Sequence, residues 1–158
     1  MHFFLDLIER RFAELDRRSR ELLTLLNDQT LYLRPTETVN AMVPFSCGEF
    51  IVRSAAKVEQ TFGGITTRLW DDPFEWTLPE KLSTVEGVRE YLDEVTTIRQ
   101  RGLAFFTSDA DLLREIPSPE KQRSLGEILL ETIAFSEHFL GRASSIYQTI
   151  TSNTPPRL

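Results

Sequence analysis

Histidine and cysteine, the usual carriers of metal and thiol chemistry, are nearly missing from this chain. His2 and His138 are the only imidazoles in 158 residues, and Cys47 is the one thiol. A single cysteine excludes an internal disulfide and fits a reducing compartment. Lysine is scarce too, confined to Lys57, Lys81 and Lys121. With a net charge of −6, the chain lacks the clustered basic surface that binds phosphate backbones, so nucleic acid is not an expected partner. No apolar run approaches the ~18–20 residues needed to span a bilayer. The opening MHFFLDLIERR has no basic leader and meets Asp6 and Glu9 early, unlike a signal peptide. These absences together place the expected home in the cytoplasm, away from membranes.

What the chain does have is helical periodicity. Leu5, Ile8, Phe12, Leu15, Ser19, Leu22 and Leu26 step by three and four, which predicts a first helix over 2–27. Ser46 and Glu49 make an S-x-x-E capping box, each side chain serving a free backbone N–H, and open a second helix over 46–70. Its inward row is Cys47, Ile51, Ser54, Ala55, Val58, Phe62, Ile65 and Leu69. Adjacent Gly63 and Gly64 together cost ~2 kcal/mol of helix propensity, which predicts a kink or a close backbone approach there. Ser83 and Glu86 open a third helix, 84–107, with Val88, Tyr91, Leu92, Val95, Ile98, Gly102, Phe105 and Phe106 inward. Ser124 and Glu127 open the fourth, 124–151, whose inward row runs Leu125, Leu129, Thr132, Ser136, Phe139/Leu140, Ala143, Tyr147 and Ile150. Four such helices in one apolar core make an all-α four-helix bundle spanning 1–151, with 152–158 as a mobile tail.

The connections are long. Residues 28–45 contain Pro35 and Pro44, with Leu31, Leu33 and Met42 as expected packing anchors. The stretch Asp71–Leu82 carries Phe74, Trp76 and Leu78, whose rings and branches gain by burial at a bundle end or between subunits. Residues 108–123 form a third link, anchored by Leu112, Leu113 and Ile116.

Short motifs along these elements resemble the DinB/YfiT-like four-helix bundles. They are Leu31, Arg34 and Pro35 (L-x-x-R-P), Asn40 before the second helix, and Ser46 with Gly48 at its start. Ala56, Val58 and Glu59 follow in A-x-V-E, and Gly141 stands late in the fourth helix. The resemblance implies the fold, a homodimer, and a family whose active members hold a divalent metal, several of them as thiol transferases. Their ligands are one histidine on the second helix and an H-x-x-x-H pair on the fourth. In this chain those places fall on Arg53 or Ser54, and on Phe135 and Phe139. Neither arginine, serine nor phenylalanine replaces an imidazole lone pair, so no metal and no cofactor are expected. Phe135 and Phe139 are expected to fill the former site with buried apolar volume.

The candidate pocket residues are therefore Arg53, Ser54, Glu59, Phe135, Ser136 and Phe139. Ser19, Ser54, Gly102 and Ser136 place one small residue in each inward row. They either line an internal pocket under Phe135, Phe139 and Phe62 or permit close packing, with hydroxyls bonded to backbone. Glu59 and Arg53 form a possible polar couple at the rim, with Arg34 or Arg142 available to an acidic ligand. Cys47 on the inward row behaves as a small apolar residue. His138 lies on the opposite side of its helix from Ser136. Three functional readings stay open: a non-catalytic bundle binding a small apolar ligand or a protein partner, a thiol or group transferase working without the histidines, and a carboxylate metal site through Glu59 and Glu137.

Overall fold

A computed structural model describes residues 2–35, 45–74 and 79–153. Four helices carry the fold: α1 (Phe3–Thr24), α2 (Cys47–Thr67), α3 (Val85–Leu103) and α4 (Leu125–Thr151). The α2–α4 contact is the most extensive, followed by α2–α3; α1 completes the square by packing on α4 and α3. Consecutive helices α1 and α2 thus stand on one diagonal, and α3 and α4 on the other. A diagonal step needs a connection that crosses the bundle end, which is the physical reason for the long links.

The inward rows expected from the spacing form the core. All seven positions of the first row are buried, six on α1 from Leu5 to Leu22 and Leu26 just beyond it, and Phe12 meets Phe62 edge-on across the α1–α2 diagonal, 5.5 Å between centroids. Two positions depart from the rows. Leu69 is 62% exposed and Phe105 is 60% exposed, because α2 stops at Thr67 and α3 at Leu103. Arg68 takes the left-handed conformation (φ 63°) and its N–H closes on Gly64 O, so Leu69 falls outside the last turn. Phe106 occupies the inward place beyond α3.

Each helix start is held by a side chain. At α2 the capping box forms in both directions: Glu49 N donates to Ser46 Oγ (3.2 Å) and Ser46 N to Glu49 Oε2 (2.7 Å). At α3 the cap is Thr84, which accepts from Gly87 N at 3.0 Å, and not Ser83, which instead ends a 3-10 turn over Glu80–Leu82. Asp28 in the first link also accepts from Val85 N (2.8 Å), tying the two connections together. At α4 Ser124 Oγ accepts from Glu127 N, while the Glu127 carboxylate turns to Arg123. The cap of α1 comes from far along the chain: Asp109 accepts from Phe4 N (3.1 Å) and Leu5 N (2.9 Å).

The links pack as the sequence suggested only in part. Leu31 is fully buried and its carbonyl accepts from Gly48 N at 2.8 Å, so close that a Cβ on Gly48 would collide with it. Leu33 is 45% exposed, and Met42 lies outside the described residues. Phe74 is buried edge-on to Tyr91 on the same chain, while Trp76 and Leu78 also lie outside the described residues. α2 continues through Gly63 and Gly64 to Thr67; the close neighbour at Gly64 is the Trp70 ring, which leaves no room for a Cβ. The third link holds a 3-10 turn (Asp109–Leu113) and an antiparallel pair, β1 (Glu115–Pro117) and β2 (Gln122–Ser124), with Ile116 opposite Arg123. Ile116 is buried, whereas Leu113 is 80% exposed. Ser152 and Asn153 follow α4 without regular structure; the rest of the tail is outside the described residues.

Candidate functional site

Along the α2–α4 seam, neighbouring residues of one helix have opposite surroundings. Ser54 Oγ donates to Ser136 O (3.0 Å) and Ser136 Oγ donates back to Ser54 O (3.1 Å), both fully buried. One turn back along α4, Thr132 Oγ1 donates to Ile128 O (2.8 Å), so its proton is spent and Thr61 must donate to it across the seam (2.6 Å). Ser19 likewise bonds Leu15 O within its own helix. The Ser54–Ser136 pair therefore closes the seam and lines neither cavity of the groove, while the Thr61–Thr132 pair, equally closed on itself, borders the larger one. Gly102 belongs to the same packing, its missing Cβ making room for the Phe62 ring.

The groove lies outside that seam. Two adjoining cavities, about 460 Å³ and about 210 Å³, share Lys57, Gln60 and Phe135. Arg53, Ala56, Lys57 and Gln60 follow three-and-four spacing, so one face of α2 supplies a whole wall. Gln60 fixes that wall by donating to Trp70 O (2.9 Å) and accepting from Lys57 Nζ (3.2 Å). Phe135 and Phe139 face it from α4, and Asp72 closes one side of the smaller cavity. The larger cavity runs on beneath the β1–β2 turn at Ser118–Lys121, past Arg123 and Glu131, which are paired with each other.

Arg53, Phe135 and Phe139 thus come together round one cavity, and Ser54, the other candidate on α2, does not face it. Glu59 is elsewhere as well. Its carboxylate accepts from Tyr91 Oη on α3, and burial followed by that bond raises the tyrosine well above its ordinary range. The Arg53–Glu59 couple is accordingly absent among the described residues. Arg34 pairs with Glu49 (2.8 Å), and Glu137 with Arg18 on α1 (2.6 Å). Phe135 also differs from expectation. It is 45% exposed and forms a groove wall, because Ser136 holds the inward position and the preceding residue projects a quarter-turn away. Phe139 is half-buried and stacks on Phe50 at 6.2 Å.

The residues round the smaller cavity do not fit a divalent metal. Arg53, Phe135 and Phe139 offer no donor electron pair, and Asp72 Oδ1 is occupied by the N–H of Phe74 at 2.9 Å. Among the described residues no three His, Cys, Asp or Glu side chains come together in a metal-holding group, Glu59 and Glu137 included. Cys47 is buried at the start of α2, and burial pushes its thiol up to about 12, so it is neutral near pH 7. His138 is exposed beside the Phe139 ring.

Sequence reasoning missed Lys57, Gln60 and Trp70, although the α2 pair repeats the helical spacing from Arg53. It also missed Arg99, which is 7% exposed with no hydrogen bond or ion pair to any described residue. Arg99 shares a void of about 20 Å³ with Ser19, Ser54 and Thr96, room for little more than one water molecule.

Beyond its own geometry the chain has no close reference point: no protein-family model matches it, and neither the curated proteins nor the solved structures give a significant match.

Proposed function

We propose that this chain is a DinB/YfiT-like bundle that works without a metal or other cofactor, as a non-catalytic cytoplasmic binding protein. Its ligand is a small molecule with a substantial apolar part, held in the α2–α4 groove. One observation carries the reading: Arg53, Phe135 and Phe139, where the resemblance places a metal, surround a cavity continuous at Phe135 with a larger one. The group-transferase reading needs an activated nucleophile in the groove; the only thiol is buried at Cys47 with its pKa raised, which counts against it. A homodimer remains part of the proposal. The resemblance supports it, and so does the apolar surface that Phe3, Phe4, Phe105 and Leu130 expose.

Trp70 lines the groove and serves as a reporter. N-phenyl-1-naphthylamine, a neutral aromatic probe, should bind saturably with energy transfer from tryptophan. Lys57→Trp, which fills the place shared by both cavities, should abolish binding while leaving the helical circular dichroism intact. A probe that binds this variant and the parent equally refutes the groove as the site. Elemental analysis of untagged protein giving about one zinc or nickel per chain would overturn the metal-free part, and a light-scattering mass of 18 kDa the dimer.

A further inference from the structure

Two cations of the groove, Arg53 and Lys57, and a third, Arg142, which lines neither cavity, rest on aromatic rings. Arg53 stands over the Phe45 ring (5.2 Å), Lys57 over Phe135 (5.3 Å) and Arg142 over Phe50 (4.8 Å). Phe45, Phe50 and Phe139 form one array, with Phe45 edge-on to Phe50 at 5.4 Å and Phe50 stacked on Phe139 at 6.2 Å. None of the three cations has a carboxylate partner among the described residues, unlike Arg17, Arg18, Arg20, Arg34, Arg89 and Arg123; Arg10, Arg11, Arg68, Arg99 and Arg101 have none either, but none of these lines the groove. Resting on a ring face satisfies part of a cation's charge but takes none of its in-plane N–H donors. Arg53 Nε is sealed from solvent and bonded to nothing described. Asp72, the one carboxylate among the described residues that lines the smaller cavity, has an oxygen committed to Phe74 N.

We propose that the ligand is an organic anion with a flat apolar body, its acid group held between Arg53 and Lys57 and its body lying along Phe135 towards Trp70. This rests on the α2–α4 groove being the binding site. The direction follows from charge. In the larger cavity Arg123 is matched by Glu131 and Glu127, and Glu120 stands near Lys121, so that end offers an anion no net attraction. The smaller cavity offers two unmatched cations beside aromatic walls, an arrangement that strengthens a charge-assisted hydrogen bond by excluding water.

The test compares two dyes with one ring skeleton: 8-anilinonaphthalene-1-sulfonate, and N-phenyl-1-naphthylamine, which lacks the sulfonate. The sulfonate dye should bind at least about tenfold more tightly, the worth of one charge-assisted bond. Arg53→Gln and Lys57→Gln should each erase most of that advantage, read as the ratio of the two dyes' affinities for the same variant. Arg53→Lys should keep part of it, and Arg17→Gln, on the exposed face of α1, should keep all of it. Far-ultraviolet dichroism and melting curves show whether each variant is folded. Equal binding of both dyes to the parent, or an advantage that survives Arg53→Gln and Lys57→Gln, overturns the anion class and leaves the groove standing. Failure of both dyes to bind sinks the groove and this proposal with it.

Discussion

The inner edge and the outer face of the α2–α4 seam differ by one residue on each helix. At Ser54 and Ser136, and again at Thr61 and Thr132, every hydroxyl has a partner and nothing is open to solvent. At Arg53 and Phe135, one step round each helix, a guanidinium nitrogen lacks an acceptor among the described residues and an aromatic ring is nearly half exposed. Burial makes an unsatisfied polar group costly, so the inner edge must be complete for the fold to stand. The outer face tolerates unmatched charge because Arg53 and Lys57 are only half-buried, although Arg53 Nε itself is sealed, and there a ligand can find an unused partner. Stability and recognition therefore occupy adjacent residues and should separate on mutation.

The largest effects belong to the inner edge. Ser136→Val removes a buried hydrogen bond and adds methyl volume where none fits; together these should cost about 2–4 kcal/mol in urea unfolding. Thr132→Val nearly preserves shape but leaves the Thr61 hydroxyl without an acceptor, for about 1–3 kcal/mol. Adding Thr61→Val should recover most of that loss, since removing both partners leaves no orphan. A double variant as unstable as the sum of the two singles would show that shape, not the hydrogen bond, matters at this pair.

Glycines give a contrast of intermediate size. Gly102→Ala would drive a methyl into the Phe62 ring and should cost about 1–3 kcal/mol. Beyond the backbone of its own helix, Gly141 has no heavy atom of the described residues within 4 Å of where a Cβ would stand, so Gly141→Ala should raise stability by about 0.5–1 kcal/mol. A loss at Gly141 of the size expected at Gly102 would mean that something closes over α4 there.

How far the sequence was readable follows the same division. The inner rows stood out because large apolar residues at helical spacing have one stable arrangement, and four such rows specify a bundle. Helix ends were less legible: Leu69 and Phe105 continue the apolar pattern past Arg68 and Ala104, where the backbone has already turned away. The three-residue strands at Ile116 and Arg123 are too short to show alternation. Arg99 could not be found by hydrophobicity, since a charged residue on an inward face reads as a break in the row. In the groove, Arg53, Phe135 and Phe139 were singled out by resemblance to a metal-binding pattern, which carried a false expectation of burial for Phe135. Lys57 and Gln60 remained hidden because polar residues on a helix flank look the same whether they line a cavity or meet only water.

A smaller effect should appear in acid. The Thr107 N–H, then the Thr107 hydroxyl and the Ser108 N–H, hold the Asp111 carboxyl below its ordinary 3.8. A carboxyl with a lowered folded pKa contributes stability that is complete above its unfolded value and is lost as pH falls through the folded one. The stability gap between the parent and Asp111→Asn should therefore be widest near neutral pH and narrow below about pH 4. A gap unchanged down to pH 2 would mean the asparagine is destabilising through shape alone, which the pH series is designed to reveal.

The smallest stability change should come from Phe135→Ala, and it gives the comparison its sharpest form. A fully buried phenylalanine truncated to alanine costs about 3–5 kcal/mol through lost transfer energy and the cavity left behind. Phe135 is 45% exposed and carries the Lys57 ammonium over its ring at 5.3 Å, a pairing worth roughly 0.5–1 kcal/mol at an exposed site. Its removal should move the urea midpoint little while weakening both dyes, since their shared ring skeleton loses its wall. Phe139→Ala, half-buried and stacked on Phe50, should lie between these extremes in stability. If Phe135→Ala instead costs as much as a core phenylalanine and leaves the neutral dye unaffected, Phe135 belongs to the inner edge after all. The boundary between fold and groove would then lie on the solvent side of this ring.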